Sequence, residues 1–428
     1  MSDLEDRLNE AINAAVAGAE PRPGVMNAVR DRHRRWLIRV TGAGAAAAAV
    51  VVAGVVMPLA LLSPRSGGPA APGGQGPVAT ATSHGAVTAY AVGEKGTVTP
   101  IRTATNRALK TISDRSVDSL GIVLTPDGKT AYVLNDLLPA IVPSTVTPVR
   151  TATNTALTPI KVGADARHFA MAPDGKTLYV ANVYSGTVTP IRTATNTALT
   201  PIKVGRHPEG IAVTPDSKTV YVANYLAGTV TPIQAGTGKA LKPIKVGGNP
   251  WAIAITPDGK TAYVANGYGV TPIATATNTA LPPIRVGRGA FDVAITPNGS
   301  TAYALTGNWV TLIRTATNTT LPPVYVKQAP IDIAITPDSA TAYVTDPAGQ
   351  VIPISTATGK AQAPIAVGKG ARAIAITPDG RTVYVTLFSV VDRHFGTVIP
   401  IRAATNKVLP SIRVGELPTA IAITPVAG

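Results

Sequence analysis

One stretch, from Ile253 to Gly287, returns with small changes from about residue 86 to the C-terminus. A repeat of fixed period fixes the fold class before any local propensity is weighed, because each copy needs its neighbours to bury its apolar face. The ruler is the corner Thr-Pro-Asp-Gly. Its prolines are Pro126, Pro173, Pro215, Pro257, Pro297, Pro337, Pro378 and Pro425, spaced 47, 42, 42, 40, 40, 41 and 47 residues apart.

Each copy divides into four short runs. An apolar run such as Ile253 to Ile255 ends at the corner, where Asp-Gly between alternating segments signals a tight hairpin. A second run, Thr-Ala-Tyr-Val-Ala-Asn, has the β-branched and aromatic residues that suit a half-buried pleated surface. Val-Thr-Pro-Ile follows, then a Thr-Ala-Thr-Asn turn, then Pro-Ile-Arg-Val-Gly. The last turn position is Asn106, Asn154, Asn196, Gly238, Asn278, Asn318, Gly359 and Asn406. Asn and Gly enter the left-handed region at low cost, so a second tight hairpin is expected there. No helical periodicity occurs in this region. Proline within a strand loses a ladder bond, and those of the third and fourth runs are expected early or at an edge.

A period of about 40–45 residues with four strands per unit predicts an all-β propeller. The tyrosine run occurs eight times, at Tyr90, Tyr132, Tyr179, Tyr221, Tyr263, Tyr303, Tyr343 and Tyr384. The first copy lacks an inner strand, and the strand near 419–424 has nothing after it. If the two complete each other, seven full units and one composite blade make eight; the alternative is seven blades with stray ends.

Tyr179-Val-Ala-Asn182, Tyr221-Val-Ala-Asn224 and Tyr263-Val-Ala-Asn266, each behind its corner, resemble the YVTN family of β-propeller repeats. The resemblance covers roughly residues 86–425. It implies a propeller, and for function it implies several classes: surface proteins, binding modules, and relatives of cofactor-bearing or lactonase-type enzymes. Fold alone does not choose among them.

Ahead of the repeats, residues 1–35 contain a short amphipathic helix signal, with a Ser2-to-Glu5 capping box and Leu4, Leu8 and Ile12 on one face. It is read as a solvated cytoplasmic tail, with a docking helix as the other reading. Five arginines, Arg30, Arg32, Arg34, Arg35 and Arg39, precede Val40 to Leu62, which carries no charge. That run is long enough for a bilayer core, and the arginine excess places the N-terminus inside. A signal anchor over 36–62 is therefore expected, in preference to a cleaved signal peptide. Residues 63–85, rich in Gly, Pro, Ser and Ala, read as a linker, and the propeller at 86–428 is expected outside the cell membrane.

The chain has 38 Lys and Arg against 23 Asp and Glu. Much of the excess recurs by register, as in Lys161, Lys203, Lys245, Arg285 and Arg413 of the fourth strands. Such rings attract polyanions such as lipid headgroups or wall polymers, or they are solvated faces copied with the repeat. Nucleic acid is not expected, because interleaved stacking aromatics are scarce. There are no cysteines, which removes disulfides and thiolate metal sites.

As the resemblance implies, the corner and Thr-Ala-Thr-Asn hairpins share one rim, and the variable connections form the other. Diversity on a rigid scaffold is where binding is built. Candidate ligand contacts are His168, His207, Trp251, Asp292, Asp332 and Arg372 from fourth-to-first connections, with Trp309 and His394 from second-to-third connections. His168, Asp292 and Asp332 stand five residues before their corner prolines, a register otherwise filled by Gly or Ala. They are candidates for a hard cation or for orienting a ligand, or else loop caps and partners of Arg288 or Arg372. No G-x-S-x-G, H-E-x-x-H, P-loop or EF-hand loop occurs, and the residues leave cofactor and metal open. The expected role is a membrane-anchored, non-catalytic binding or scaffold module for an envelope protein or polyanion. The alternatives are an enzyme with its site at the channel mouth and a purely structural surface protein.

Overall fold

A computed structural model describes residues 87–113, 119–136, 141–287, 289–388 and 395–425. They form eight antiparallel sheets arranged as blades. The inner strands are Ser119–Leu124 in blade 1, Ala166–Met171 in blade 2, Pro208–Val213 in blade 3 and Ala252–Ile255 in blade 4. Ala290–Ile295, Asp332–Ile335 and Ala371–Ile376 are those of blades 5 to 7. Blade 8 is composite: Pro418–Ile423 pairs antiparallel with Thr88–Gly93, so the last strand completes the first copy. The eight inner strands pack against one another in an unbroken ring. Eight blades with a composite closure are observed, and the seven-blade alternative is excluded. Among the described residues no helix is long and apolar enough to cross a membrane. The expected N-terminal helix, signal anchor and linker lie outside the described residues.

The period of two along each strand explains how the ring holds together. In the second strands, Tyr90 and Val92 of blade 8 face blade 1, where they meet Ala131 and Val133. Ala89 and Ala91 face the other way, onto Tyr384 and Val398 of blade 7. The same division produces eight apolar clusters, one between each neighbouring pair of blades. The core is thus a set of wedges, and a blade by itself has none.

Both hairpins adopt the geometry their residues imply. At the first corner, Gly128 has φ 67 and its N–H donates to the Thr125 carbonyl at 2.8 Å. The Thr125 hydroxyl donates to Asp127 at 2.6 Å, and Asp127 accepts the Lys129 N–H at 3.0 Å. At the Thr-Ala-Thr-Asn turn all eight terminal residues have positive φ, from 51 at Asn154 to 67 at Gly238.

Those turn asparagines also connect blades. Tyr132 donates its hydroxyl to Asn196 of the next blade at 2.6 Å, Tyr221 to Asn278 at 2.6 Å and Tyr263 to Asn318 at 2.6 Å. Tyr343 reaches Asn406 at 3.0 Å, and Tyr90 reaches Asn154 at 2.9 Å. Tyr384 donates to Asn106, which ties blade 7 to the composite blade. The two exceptions face glycine. Tyr303, opposite Gly359, shares a hydrogen bond with Thr356 at 2.8 Å, and Tyr179 stands opposite Gly238.

The prolines of the third run sit in mid-strand, not at its start or edge as expected. Pro100 lies within Thr97–Arg102 and is paired with Tyr90. Its carbonyl accepts the Leu109 N–H at 2.8 Å. A residue's N–H and C=O point to the same side of a strand, so the missing proline N–H faces outward, toward the fourth strand. There the fourth strand divides into two short pieces, Arg107–Ala108 and Ile112–Ser113, and no inner ladder bond is lost.

Candidate functional site

The candidate residues gather where the inner strands begin, at the rim opposite the hairpins. Arg167, His168, Glu209, Asp292, Asp332 and Arg372 belong to the inner strands themselves, not to connections as expected. That difference matters for burial: Asp292 is 5 % exposed, Asp332 6 % and Glu209 1 %.

Just ahead of several inner strands one residue adopts a left-handed conformation: Asp165 at φ 54, His207 at φ 60, Asn249 at φ 47 and Leu417 at φ 45. This kink turns the chain from the outer edge into the channel. The carbonyl there accepts an N–H from the end of the second strand, Val183 to Asp165 at 2.9 Å and Tyr225 to His207 at 2.9 Å. Histidine tolerates positive φ better than a β-branched residue, but the conformation remains sparsely populated. The fold therefore fixes where the His207 ring can go.

Glu209 is the centre of the first group. Its Oε1 lies 3.1 Å from His207 Nδ1 and its Oε2 lies 3.3 Å from His168 Nδ1. These are ion-pair distances, and the two imidazoles are the groups that face the Glu209 oxygens. Burial alone would raise the Glu209 carboxyl, but the two imidazoles and the Arg167 charge hold it at about 2. Arg167 is itself engaged by Asp165, Nε to Oδ1 at 2.8 Å and Nη2 to Oδ2 at 3.1 Å.

The second group lies across the channel on neighbouring blades. Asp332 Oδ1 accepts the Ile333 N–H at 2.7 Å, and its Oδ2 accepts the Ile374 N–H of blade 7 at 3.0 Å. Asp292 Oδ1 accepts the Val293 N–H at 2.8 Å in the same manner. By register its second oxygen would take the Ile333 N–H, but Asp332 already holds that donor. Asp292 Oδ2 is left buried with no hydrogen bond. Burial pushes Asp332 up to about 8, with the Asp292 charge adding to it and the Ile374 N–H and Arg372 opposing. Burial likewise raises Asp292 to about 6, against the Val293 N–H and the charge of His168. His168 thus acts on both groups.

An aromatic wall adjoins His207. The Tyr225 ring centroid is 5.7 Å from His207 and 4.5 Å from Trp251. Arg372 lies over the Phe388 ring at 5.0 Å. Trp309 is elsewhere: it opens the third strand of blade 5, exposed, with its ring 4.9 Å from Tyr325. His394 and Arg288 fall outside the described residues. Among the described residues no three His, Asp or Glu side chains are placed to hold a metal ion.

Glu209 is legible on this rim from the sequence, as the one carboxylate six residues before a corner proline. Asp165 is not singled out there. Five of the seven buried side-chain atoms without a hydrogen bond among the described residues belong to His168, His207, Glu209 and Asp292. Four of these atoms lie in the Glu209 ion pairs; Asp292 Oδ2 has neither hydrogen bond nor ion pair, and leaving such an atom buried costs about 1–3 kcal/mol.

Comparison with known proteins supports the fold and nothing finer. No family model matches the chain. No curated protein matches it. Among solved structures it is similar to the dihydro-heme d1 dehydrogenase NirN in complex with DHE, at a TM-score of 0.67 and 14% identity over 79% of this chain and 75% of that one. It is similar to apo AztD from Citrobacter koseri, at a TM-score of 0.61 and 13% identity over 79% and 98% of the two chains. It also resembles Kuenenia stuttgartiensis hydrazine synthase, at a TM-score of 0.50 and 24% identity over 60% and 88%. The chain is an eight-bladed β-propeller, a class that includes both enzymes and binding proteins.

Proposed function

We propose that this chain is a YVTN-type propeller held at the outer face of a cell membrane, where it binds an envelope component without turning it over. The carrying observation is the placement of exposed apolar side chains. Six large ones, each at least 44% exposed, lie on the variable rim: Tyr184, Leu226, Tyr268, Trp309, Tyr325 and Phe395. The hairpin side shows only Leu199 and Val408 among the described residues. Trp309 and Tyr325 touch and form an exposed aromatic pair on that face, and aromatic residues are the usual anchors of a protein interface. Val40 to Leu62 with its arginine flank supports the anchor, and the basic fourth-strand register supports attraction to a polyanionic surface.

The experiment is capture of envelope fractions by the full-length chain at low and physiological salt. It is repeated with a variant carrying Tyr184→Ala, Tyr268→Ala and Trp309→Ala. Capture that survives physiological salt and falls about tenfold or more in the variant is the expected result. Capture that disappears with salt, and equally in both proteins, would leave only a basic scaffold and end the rim reading.

A second reading rests on the channel mouth. Burial pushes Asp292 up to about 6, toward the range of a general base, and the charge of His168 reaches it. A lactonase-like or cofactor-dependent activity would be centred there and would be lost in Asp292→Asn without loss of envelope capture.

A further inference from the structure

The outer edge of the ring carries a departure from the repeat, on residues that the rim contact proposed above does not use. The last residue of each third strand stands opposite the residue that follows the Thr-Ala-Thr-Asn turn. In blades 1, 2, 4 and 5 that second residue is threonine: Arg150 faces Thr155, Arg192 faces Thr197, Ala274 faces Thr279 and Arg314 faces Thr319. In the consecutive blades 6, 7 and 8 it is basic, as Lys360, Lys407 and Arg107. Lys360 is opposite Ser355, whose N–H its carbonyl accepts at 3.0 Å. In blades 7 and 8 the facing residue is basic too: Arg402 faces Lys407, and Arg102 faces Arg107. Blade 3 has an isolated lysine there, Lys239, which faces Gln234.

Like charges directly opposite each other on paired strands are destabilising. Copying the repeat would have supplied threonine at Arg107 and Lys407, so duplication does not account for these two pairs. Lys110, beyond the same turn in blade 8, adds another cation. All six side chains are exposed, and none forms an ion pair among the described residues. The stretches that carry them, 97–113, 350–366 and 396–414, contain no Asp or Glu. The three blades meet at this edge: Asn406, next to Lys407, donates to Gln362 of blade 6 at 3.3 Å, and Asn106, next to Arg107, accepts from Tyr384 of blade 7.

The chemistry of the counterion follows. Cross-strand partners project from one face of their blade, so each pair presents two donors to one anion. A carboxylate offers two oxygens along one edge, which a single guanidinium fork already fills, whereas a phosphate directs oxygens out of one plane and can bridge two cations. One phosphate on an exposed pair would be held weakly against salt, but linked phosphates add their contacts on one chain. We propose that the outer edge of blades 6 to 8 is a track for a linear phosphate polymer. One of its phosphates bridges Arg402 and Lys407, another bridges Arg102 and Arg107, and Lys360 and Lys110 hold the chain on either side.

The test is fluorescence anisotropy of labelled inorganic polyphosphate titrated with the full-length chain. Saturable binding is expected, weaker at physiological than at low salt. Arg107→Thr with Lys407→Thr installs the residue of blades 1, 2, 4 and 5, and should weaken binding about tenfold or more, as fits loss of a charge-assisted hydrogen bond. Arg150→Thr with Arg192→Thr removes the same charge elsewhere on the edge and should weaken it less than about threefold, the effect of a screened distant field. Polyphosphate should raise the melting temperature of the parent more than that of the first variant. Should that variant not fold, Arg102→Gln with Arg402→Gln, which copies Gln234 of blade 3, decides in its place. Equal weakening by the first two double variants would reduce the track to net charge and overturn the proposal. So would polyglutamate binding as tightly as polyphosphate, or phosphatidylglycerol vesicles binding through these residues without competition from polyphosphate. The Tyr184, Tyr268 and Trp309 variant keeps all six cations and should bind polyphosphate as the parent does, so this proposal and the rim reading fail separately.

Discussion

The two rims of this propeller are built from the same repeat and behave differently. On the hairpin rim the Thr-Pro-Asp-Gly corner recurs with its threonine, aspartate and backbone groups mutually bonded, as at Thr125, Thr256 and Thr377. Six tyrosines there donate to the turn asparagine of the following blade. On the opposite rim the residues differ from blade to blade: Glu209 is paired with two histidines, and Asp292 Oδ2 stays unbonded. One rim has been copied to close a ring; the other has been varied, with a carboxylate oxygen left unmatched. A duplicated scaffold can tolerate a costly site only because its stability is supplied elsewhere, by the eight wedges between blades.

The largest test of that division removes the closure. Deleting residues 417–428 takes away Pro418–Ile423, and with it Ala420 and Ala422 from one wedge and Ile421 from the other. The cooperative thermal transition should be lost, as followed by circular dichroism. A melting temperature equal to that of the intact chain would refute closure by this strand.

Next in size is the dependence of stability on pH, which separates the rims by their carboxylates. Asp332 and Asp292 are raised in the folded state, to about 8 and about 6, so the native protein binds more protons than the unfolded chain above pH about 4. Their contribution is complete below that pH and is lost as pH rises through their folded values. Glu209, lowered to about 2, acts in the opposite sense: its contribution is present above pH about 4.5 and is lost as pH falls toward 2. Denaturant midpoints measured from pH 3 to 9 should fall on the alkaline side for the parent chain. They should be flatter there for Asp332→Asn. An unchanged alkaline slope in that variant would show that the carboxylate is not the source.

The smallest effect sharpens the account of the hairpin rim. Tyr132→Phe removes the bond to Asn196 and should cost about 1 kcal/mol, whereas Tyr179→Phe, opposite Gly238, should cost less. Gly238 has φ 67, in the region that six asparagines occupy in the other blades, and a Cβ there would meet only the Ile202 side chain, Cδ1 at 3.5 Å and Cγ1 at 3.9 Å. Gly238→Asn should therefore create the missing bond and stabilise by about 0.5–1 kcal/mol. Urea unfolding of the three variants measures this; equal losses from both tyrosines would remove the latch from the account.

What the sequence determined by itself was whatever local chemistry repeats. The 40-odd residue period set the blade, and Asn and Gly at the turn set the positive φ, because only those residues enter that region cheaply. The orphan run at 419–424 set the closure, because an inner strand without a blade and a blade without an inner strand satisfy each other. Even the proline difference is local in origin: the residue was legible, and only its side of the ladder was not. Tertiary structure decided what meets across the channel. His168 and Asp292 belong to blades 2 and 5, and no spacing along the chain brings them together. Nor does sequence show that Asp332 takes the Ile333 N–H and leaves Asp292 without one, since that depends on two carboxylates competing for one donor. Turns and strands are fixed by contacts a few residues apart, but a site at the axis is fixed by the ring being closed.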